Sequence, residues 1–316
     1  MKTLIALIFL LLQSIFSCAQ VEPAESDPFQ EIQYFAEVEK VSLSDNIEIA
    51  FTDTGEGDKT LIFIHGLGGY LKHWQYNVPD LSKEFRCIAV DLAGYGKSSK
   101  GDYSGSMIFH AEVLAEFIEK LDLQNVWLVG HSMGGQISMT LALENPSLIE
   151  GLVLAAPAGI ETFTEVQKGL FRNTVTQTTI MSTSDEQIRA NLKINFLEEH
   201  PFINEMANDR IAIKESPLFA SHAKTVAGGV AGMVNEPVFD RLGDLIQPCL
   251  VIFSSDDALI PNRFMNPNSS AQILANTAKE LIPNAEIKVI SGAGHLLQVE
   301  KASEFNSILR NFIISR

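Results

Sequence analysis

Short apolar runs punctuate the chain. Val38-Glu39-Lys40-Val41 and Ile47–Phe51 come first, the second with a period of two. Leu61–Ile64, Cys87–Val90, Val126–Val129, Leu152–Leu154, Cys249–Phe253 and Ile287–Ile290 follow. The later runs are continuous rather than alternating, as expected of parallel strands buried on both faces. Helical patterns separate them. Leu114, Phe117, Ile118 and Leu121 fall at i, i+3, i+4 and i+7 after a cap residue at Ser106, and Phe305, Ile308, Leu309, Phe312 and Ile313 repeat the pattern near the C-terminus. Strands alternating with amphipathic helices predict an α/β fold, about eight mostly parallel strands with helices on both faces. The first two runs lack an intervening helix and predict an antiparallel hairpin at one edge.

Three stretches break the rhythm. Residues 159–240 hold no strand, only helical-looking segments such as Asp185–Leu192, and predict a helical lid inserted into a core made of 35–158 and 241–316. Residues 20–34 (QVEPAESDPFQEIQY) are acidic, contain two prolines and predict a flexible arm. Before it, Leu4–Phe16 is an apolar run too short to span a bilayer, preceded by Lys2 and followed by small residues at Ser17 and Ala19. This reads as a signal peptide, residues 1–19, and an exported protein, periplasmic or extracellular. The minority alternative makes Cys18 a lipidated residue, the one route by which a membrane would enter; Phe16 fits that processing poorly.

Composition narrows the partners. The chain has 316 residues, 46% hydrophobic and 20% charged, enough for a sizeable core, and a net charge of −16. No Lys/Arg stripe is present to neutralise phosphates, which argues against nucleic acid. Cys87 and Cys249, each in an apolar run, are expected as isolated core thiols, and no Cys/His cluster has zinc spacing. No phosphate loop or dinucleotide fingerprint appears, so neither cofactor nor metal is expected.

Four strand ends carry unusual residues. Val129 leads into Gly130-His131-Ser132-Met133-Gly134, the G-x-S-x-G pattern of a sharp strand-to-helix turn, where side chains two residues either side of the serine would collide with neighbouring chain. Such a turn lifts Ser132 above the sheet at a helix N-terminus, a nucleophile that still needs a base. His295, after Ser291-Gly292-Ala293-Gly294, sits just past the last strand and is set above His73, His110, His200 and His222 as that base. The base needs a carboxylate, and Ser254-Ser255-Asp256-Asp257 supplies one. His65-Gly66-Leu67-Gly68-Gly69 follows the Leu61 strand; the N–H groups of Leu67 and Met133 are assigned as oxyanion donors, with His65 and Gly66 positioning the loop.

On these residues the sequence resembles the α/β-hydrolase superfamily. The matching stretches are HGLGG (65–69), DLAGYGKSS (91–99), GHSMGG (130–135), SSDDALIP (254–261) and GAGHLLQVEKASEFNSILRNFI (292–313). The resemblance covers about 35–158 and 241–316; the lid matches in position and helical character only. It implies an α/β-hydrolase fold with Ser132 as nucleophile, His295 as base and Asp257 as acid, chosen over Asp256 because the family acid lies four residues before a proline, here Pro261. Ser254 and Ala302 stand where glycine and proline are common. Asp91 is read as ordering its loop. The implied function is a secreted serine hydrolase cleaving carboxylic esters, with a small apolar ester as partner. The alternatives are a hydrolase of carbon–carbon bonds in vinylogous diketones, or a triad-retaining small-molecule binder. Phe163, Leu170, Phe171, Ile180 and Met181 are candidate pocket residues of the lid, more often found packing such a lid against itself.

Overall fold

Eight strands form one sheet: β1 (Glu39–Ser42), β2 (Glu48–Thr54), β3 (Thr60–Ile64), β4 (Arg86–Val90), β5 (Val126–His131), β6 (Gly151–Ala155), β7 (Cys249–Ser254) and β8 (Ala285–Ile290). Their order is β1-β2-β4-β3-β5-β6-β7-β8. β1 runs antiparallel to β2 and β2 antiparallel to β4; all other pairs are parallel. The edge hairpin and the parallel centre are those the apolar pattern predicts. The computed structural model that shows this describes residues 27–316. Residues 1–19, expected as a signal peptide, and with them Cys18, lie outside the described residues.

Continuous apolar runs become strands covered on both sides. In β3, Ile62 and Ile64 join one buried cluster and Leu61 and Phe63 the other. The first face is covered by α1 (Met107–Lys120) and α2 (Met133–Glu144), with α8 (Ala271–Leu281) closing it near the far edge; the second is covered by α9 (Ala302–Ile314) through Phe305, Leu309 and Phe312. Ser106 caps α1, its Oγ accepting from Phe109 N at 3.2 Å. Cys87 and Cys249 are buried free thiols on β4 and β7, strands that are not neighbours. β3 pairs with β4 on one side and β5 on the other, so the chain reverses direction across the sheet at β3. A reversal of this kind opens a crevice at the carboxyl ends of the strands, and the loops after β3 and β5 are HGLGG and GHSMGG.

Between β6 and β7 the chain forms α3 (Glu165–Thr174), α4 (Gln177–Met181), α5 (Asp185–Lys193), α6 (Pro201–Ala212) and α7 (Phe219–Asn235). A third apolar cluster, including Ile188, Leu192, Phe202, Met206 and Phe219, holds much of this insertion together. No helix among the described residues is long and apolar enough to cross a membrane.

The arm departs from expectation. From Asp27 onward it is docked rather than loose. Phe29 is 0% exposed and shares the insertion's cluster with Ile32. Asp27 accepts from Phe29 N at 2.9 Å and from Ser216 Oγ at 3.0 Å, and Tyr34 donates to Asp91 Oδ2 at 2.6 Å. An acidic, prolyl composition averages over the two aromatic side chains, Phe29 and Tyr34, that anchor the segment.

Candidate active site

Ser132 holds φ 53° and ψ −118° between β5 and α2, a region that L-residues enter only under constraint. The constraint comes from close packing around the turn. A Cβ on Gly130 would lie 2.4 Å from Gly134 O, and one on Gly134 would lie 2.4 Å from Ile64 O and 2.6 Å from His65 O. Glycine at these two positions lets β5 turn into α2 against β3. Ser132 N donates to Ala155 O at 3.0 Å, which ties the turn to β6.

His295 Nδ1 donates to Asp257 Oδ2 at 2.8 Å, and both residues are buried. A carboxylate at Nδ1 fixes the proton there and leaves Nε2 as the basic nitrogen. Asp257 is held in turn: its Oδ1 accepts from Leu259 N at 2.7 Å and Ile260 N at 3.0 Å. Asp256 faces elsewhere, accepting from Gly292 N at 2.9 Å and Ser255 Oγ at 2.8 Å, bonds that hold its carboxyl below the usual range. The structure therefore brings Asp257, and not Asp256, to His295. Ser254 bonds Ala293 O, linking the loops after β7 and β8.

The HGLGG loop lies beside Ser132; a Cβ on Gly66 would sit 3.1 Å from Ser132 Cβ. His65 is buried, donating from Nδ1 to Gly66 O at 2.8 Å and accepting at Nε2 from Leu92 N at 3.1 Å. Burial lowers its pKa, in keeping with a neutral ring that pins the loop. Asp91 accepts from Leu71 N at 2.7 Å and Lys97 N at 2.7 Å besides Tyr34, so it orders its own loop. The N–H groups of Leu67 and Met133 have no acceptor among the described residues. Two free donors beside one hydroxyl suit an oxygen on which negative charge develops.

Ser132, His295, Gly66 and Leu67 share a cavity of about 250 Å³. Val230, Met233 and Val234 of α7 with Phe163, Phe171, Leu259 and Ile260 make it largely apolar; Gln136, Asn195, His73 and Glu161 are among its polar groups. No lysine or arginine lines it. Arg210 reaches instead behind the HGLGG loop to Gly68 O. Of the residues of the insertion named from sequence, Phe163 and Phe171 line the cavity, Ile180 packs on the core, and Leu170 and Met181 are 47% and 44% exposed.

A family model described as alpha/beta hydrolase fold matches residues 59–302. The chain belongs to the alpha/beta hydrolase fold family. It is 27% identical over 271 residues to the dihydrolipoyllysine-residue acetyltransferase component of the acetoin cleaving system of Cupriavidus necator, an alignment covering 85% of this chain and 67% of that protein. It is 26% identical over 278 residues to a 2-hydroxy-6-oxononadienedioate/2-hydroxy-6-oxononatrienedioate hydrolase of Cupriavidus pinatubonensis, covering 83% of this chain and 89% of that one. Among solved structures, a thermophilic esterase from Thermogutta terrifontis, malate bound, matches with a TM-score of 0.71 at 26% identity, over 89% of this chain and 99% of that one.

Within this α/β-hydrolase chain several residues escape sequence reasoning. His131, a wildcard of the G-x-S-x-G pattern, donates from Nε2 to His295 O at 3.0 Å, the two rings 4.7 Å apart. Burial holds His131 well below the usual histidine range, and its Nδ1 has no partner among the described residues. Glu300 accepts from Gly294 N at 2.6 Å and so braces the His295 loop. Glu161 accepts from Asn262 N at 2.9 Å and Asn266 Nδ2 at 2.7 Å, tying the insertion's first residues to the loop after Asp257; burial raises its pKa. His73 is buried in the cavity wall with both ring nitrogens unpaired among the described residues, and burial keeps it far below its ordinary pKa.

Proposed function

We propose that the chain is a serine hydrolase of carboxylic esters, exported from the cytoplasm, with residues 159–240 as its lid. One observation carries the reading: Ser132, His295 and Leu67 line one largely apolar cavity, with Asp257 bonded behind His295 and the Met133 N–H next in the chain to Ser132. His295 Nε2 takes the proton as Ser132 Oγ attacks the acyl carbon. The carbonyl oxygen becomes an oxyanion held by the two N–H groups. The imidazolium, steadied by Asp257, returns the proton to the leaving alcohol, and an acyl-enzyme remains. Water, deprotonated by the same imidazole, releases the acid.

Cleavage of carbon–carbon bonds in vinylogous diketones uses the same groups and stands second. The Cupriavidus pinatubonensis relative is named for a dioate, a dianion, whereas this cavity has Glu161 in its wall and no cation lining it. Burying two carboxylates there without partners is costly, which favours an uncharged ester. Export rests on Met1–Ala19; intact mass of exported protein beginning at Gln20 supports it, and a retained Met1 or a lipid on Cys18 refutes the cut after Ala19.

The test uses p-nitrophenyl esters of short and medium chain with wild type and Ser132→Ala. Turnover lost in the variant, with fluorophosphonate labelling of Ser132 in the wild type, is the expected result. No turnover and no labelling in the wild type refutes the reading.

A further inference from the structure

The catalytic cavity does not end at its own walls. A second chamber of about 210 Å³ shares Gly159, Glu161, Phe163, Met233 and Val234 with it. These five residues are a partition, with one chamber on either side. Beyond it the second chamber is bounded by Thr162, Lys168, Pro237, Phe239 and Asp240. Thr162, Pro237 and Asp240 are exposed, so the far end meets solvent.

Size and chemistry give the pair a use. The catalytic cavity of about 250 Å³ lies under the ~300–1,000 Å³ usual for ligand sites, and the two chambers together fall inside that range. The first chamber takes the ester and a short acyl chain, and the second extends the space available to a longer one. The partition is mostly apolar, with Phe163 packed edge-on to Phe171 at 5.0 Å. In the second chamber the single cation, Lys168, is paired with Glu165 at 2.8 Å and is offset by Asp240 and Glu161. No net positive charge awaits an anionic tail. The direction follows from the chemistry: the alcohol must leave beside His295, which protonates it. Leu296 flanks His295, and neither residue belongs to the partition.

We propose that the two chambers form one acyl-binding channel for a linear, uncharged chain of medium length. Its tail passes Phe163 and Met233 and ends beside Thr162 and Pro237. The proposal rests on the serine-hydrolase reading.

The experiment measures kcat/KM for p-nitrophenyl acetate, butyrate, octanoate and decanoate with wild type, Thr162→Trp and Pro237→Trp. Both positions border the second chamber, are exposed, and do not line the catalytic cavity. Each buried methylene contributes about fourfold, so filling the chamber is expected to lower the octanoate-to-acetate ratio at least tenfold in both variants, with thermal midpoints near wild type. A parallel series of acetate esters with alcohols of increasing length is expected to keep its profile. Turnover of acetate with an unchanged octanoate-to-acetate ratio in both variants overturns the channel while leaving the hydrolase reading intact. Loss confined to the alcohol series overturns the assigned direction. Absence of turnover on every ester, with no fluorophosphonate labelling of Ser132, overturns the hydrolase reading and the channel with it.

Discussion

Replacing Asp257 by asparagine tests the proton circuit at its most constrained point. Asp257 Oδ1 accepts two main-chain N–H groups, Leu259 at 2.7 Å and Ile260 at 3.0 Å, while Oδ2 accepts His295 Nδ1 at 2.8 Å. An asparagine has one acceptor oxygen, and the two main-chain donors claim it. Its NH2 group then faces His295 Nδ1, which must become the bare nitrogen, placing the proton on Nε2. That tautomer cannot take a proton from Ser132. The variant also loses the charge that steadies the imidazolium: two unit charges about 4 Å apart at an effective dielectric constant of 20 interact by ~4 kcal/mol, about three powers of ten in rate. Together these put the expected loss in kcat at about 10³–10⁴-fold, the size that such a change causes in serine proteases, with KM moved little. Asp256→Asn leaves an oxygen to accept from Gly292 N and is expected to stay within about threefold of wild type. The assay is steady-state hydrolysis of p-nitrophenyl butyrate, with circular dichroism to show that both variants fold. An Asp257→Asn enzyme within tenfold of wild type, or an Asp256→Asn enzyme equally crippled, refutes the reasoning.

Three further changes probe the supports. Gly134→Ala brings a methyl to 2.4 Å from Ile64 O, a backbone atom that cannot step aside; a loss of about 2–4 kcal/mol in urea unfolding is expected, and a loss under 1 kcal/mol contradicts the packing argument. His131→Phe removes the donor to His295 O, and about a tenfold fall in kcat with KM preserved is expected, partly restored in His131→Gln; equal activity in all three proteins removes His131 from the positioning role. His110 is buried with both ring nitrogens unpaired among the described residues, and burial pushes its pKa down to about 3. The unfolded chain, with a histidine pKa of about 6.5, therefore takes up a proton that the folded chain refuses between about pH 3 and 6.5. This stability is present above 6.5 and lost as pH falls, about 2 kcal/mol of it by pH 5. His110→Leu should lose correspondingly less than wild type between pH 7.5 and 5.0 in urea titrations; identical losses in the two proteins count against a neutral buried His110.

The parts of the site written into local backbone geometry were readable from residues alone. A run ending at Val129, a glycine at 130 and another at 134 make a five-residue pattern that can be recognised locally, although only the Gly130 constraint is local (Gly134 O, 2.4 Å) and Gly134 is held against Ile64 O of β3. HGLGG after β3 is legible as a pattern too, but its glycines make room for side chains: Gly66 for His131 and Ser132, Gly68 for Arg210, Gly69 for His73. Asp256 and Asp257 mark the limit of such reading: adjacent on one loop, they are alike in composition and differ only in which way packing turns them. The docking of Phe29 was equally hidden, since its partners lie near Ser216 and His222, nearly 200 residues away in sequence.

Specificity belongs to the long-range class of contacts, which explains why a sequence can disclose the chemistry and withhold the substrate. Gln136 in α2 donates to Met233 O at 3.1 Å and Glu236 O at 3.0 Å, fixing the end of α7 over the helix that follows Ser132. Gln167 of α3 donates to Met265 O at 2.7 Å, and Glu161 reaches Asn262, each across about 100 residues. These bonds decide which face of α3 becomes cavity wall, so Phe171 turns inward, beside Phe163 from the preceding loop, while Leu170 stays half exposed. The Ser132 turn can therefore be retained while the cavity is rebuilt, since the two are held by largely different bonds: Ser132 N to Ala155 O at the strand ends, against those that tie the insertion to α2 and to the loop that follows β7. Substitutions in the second set are expected to change which substrate is preferred before they change how its bond is broken.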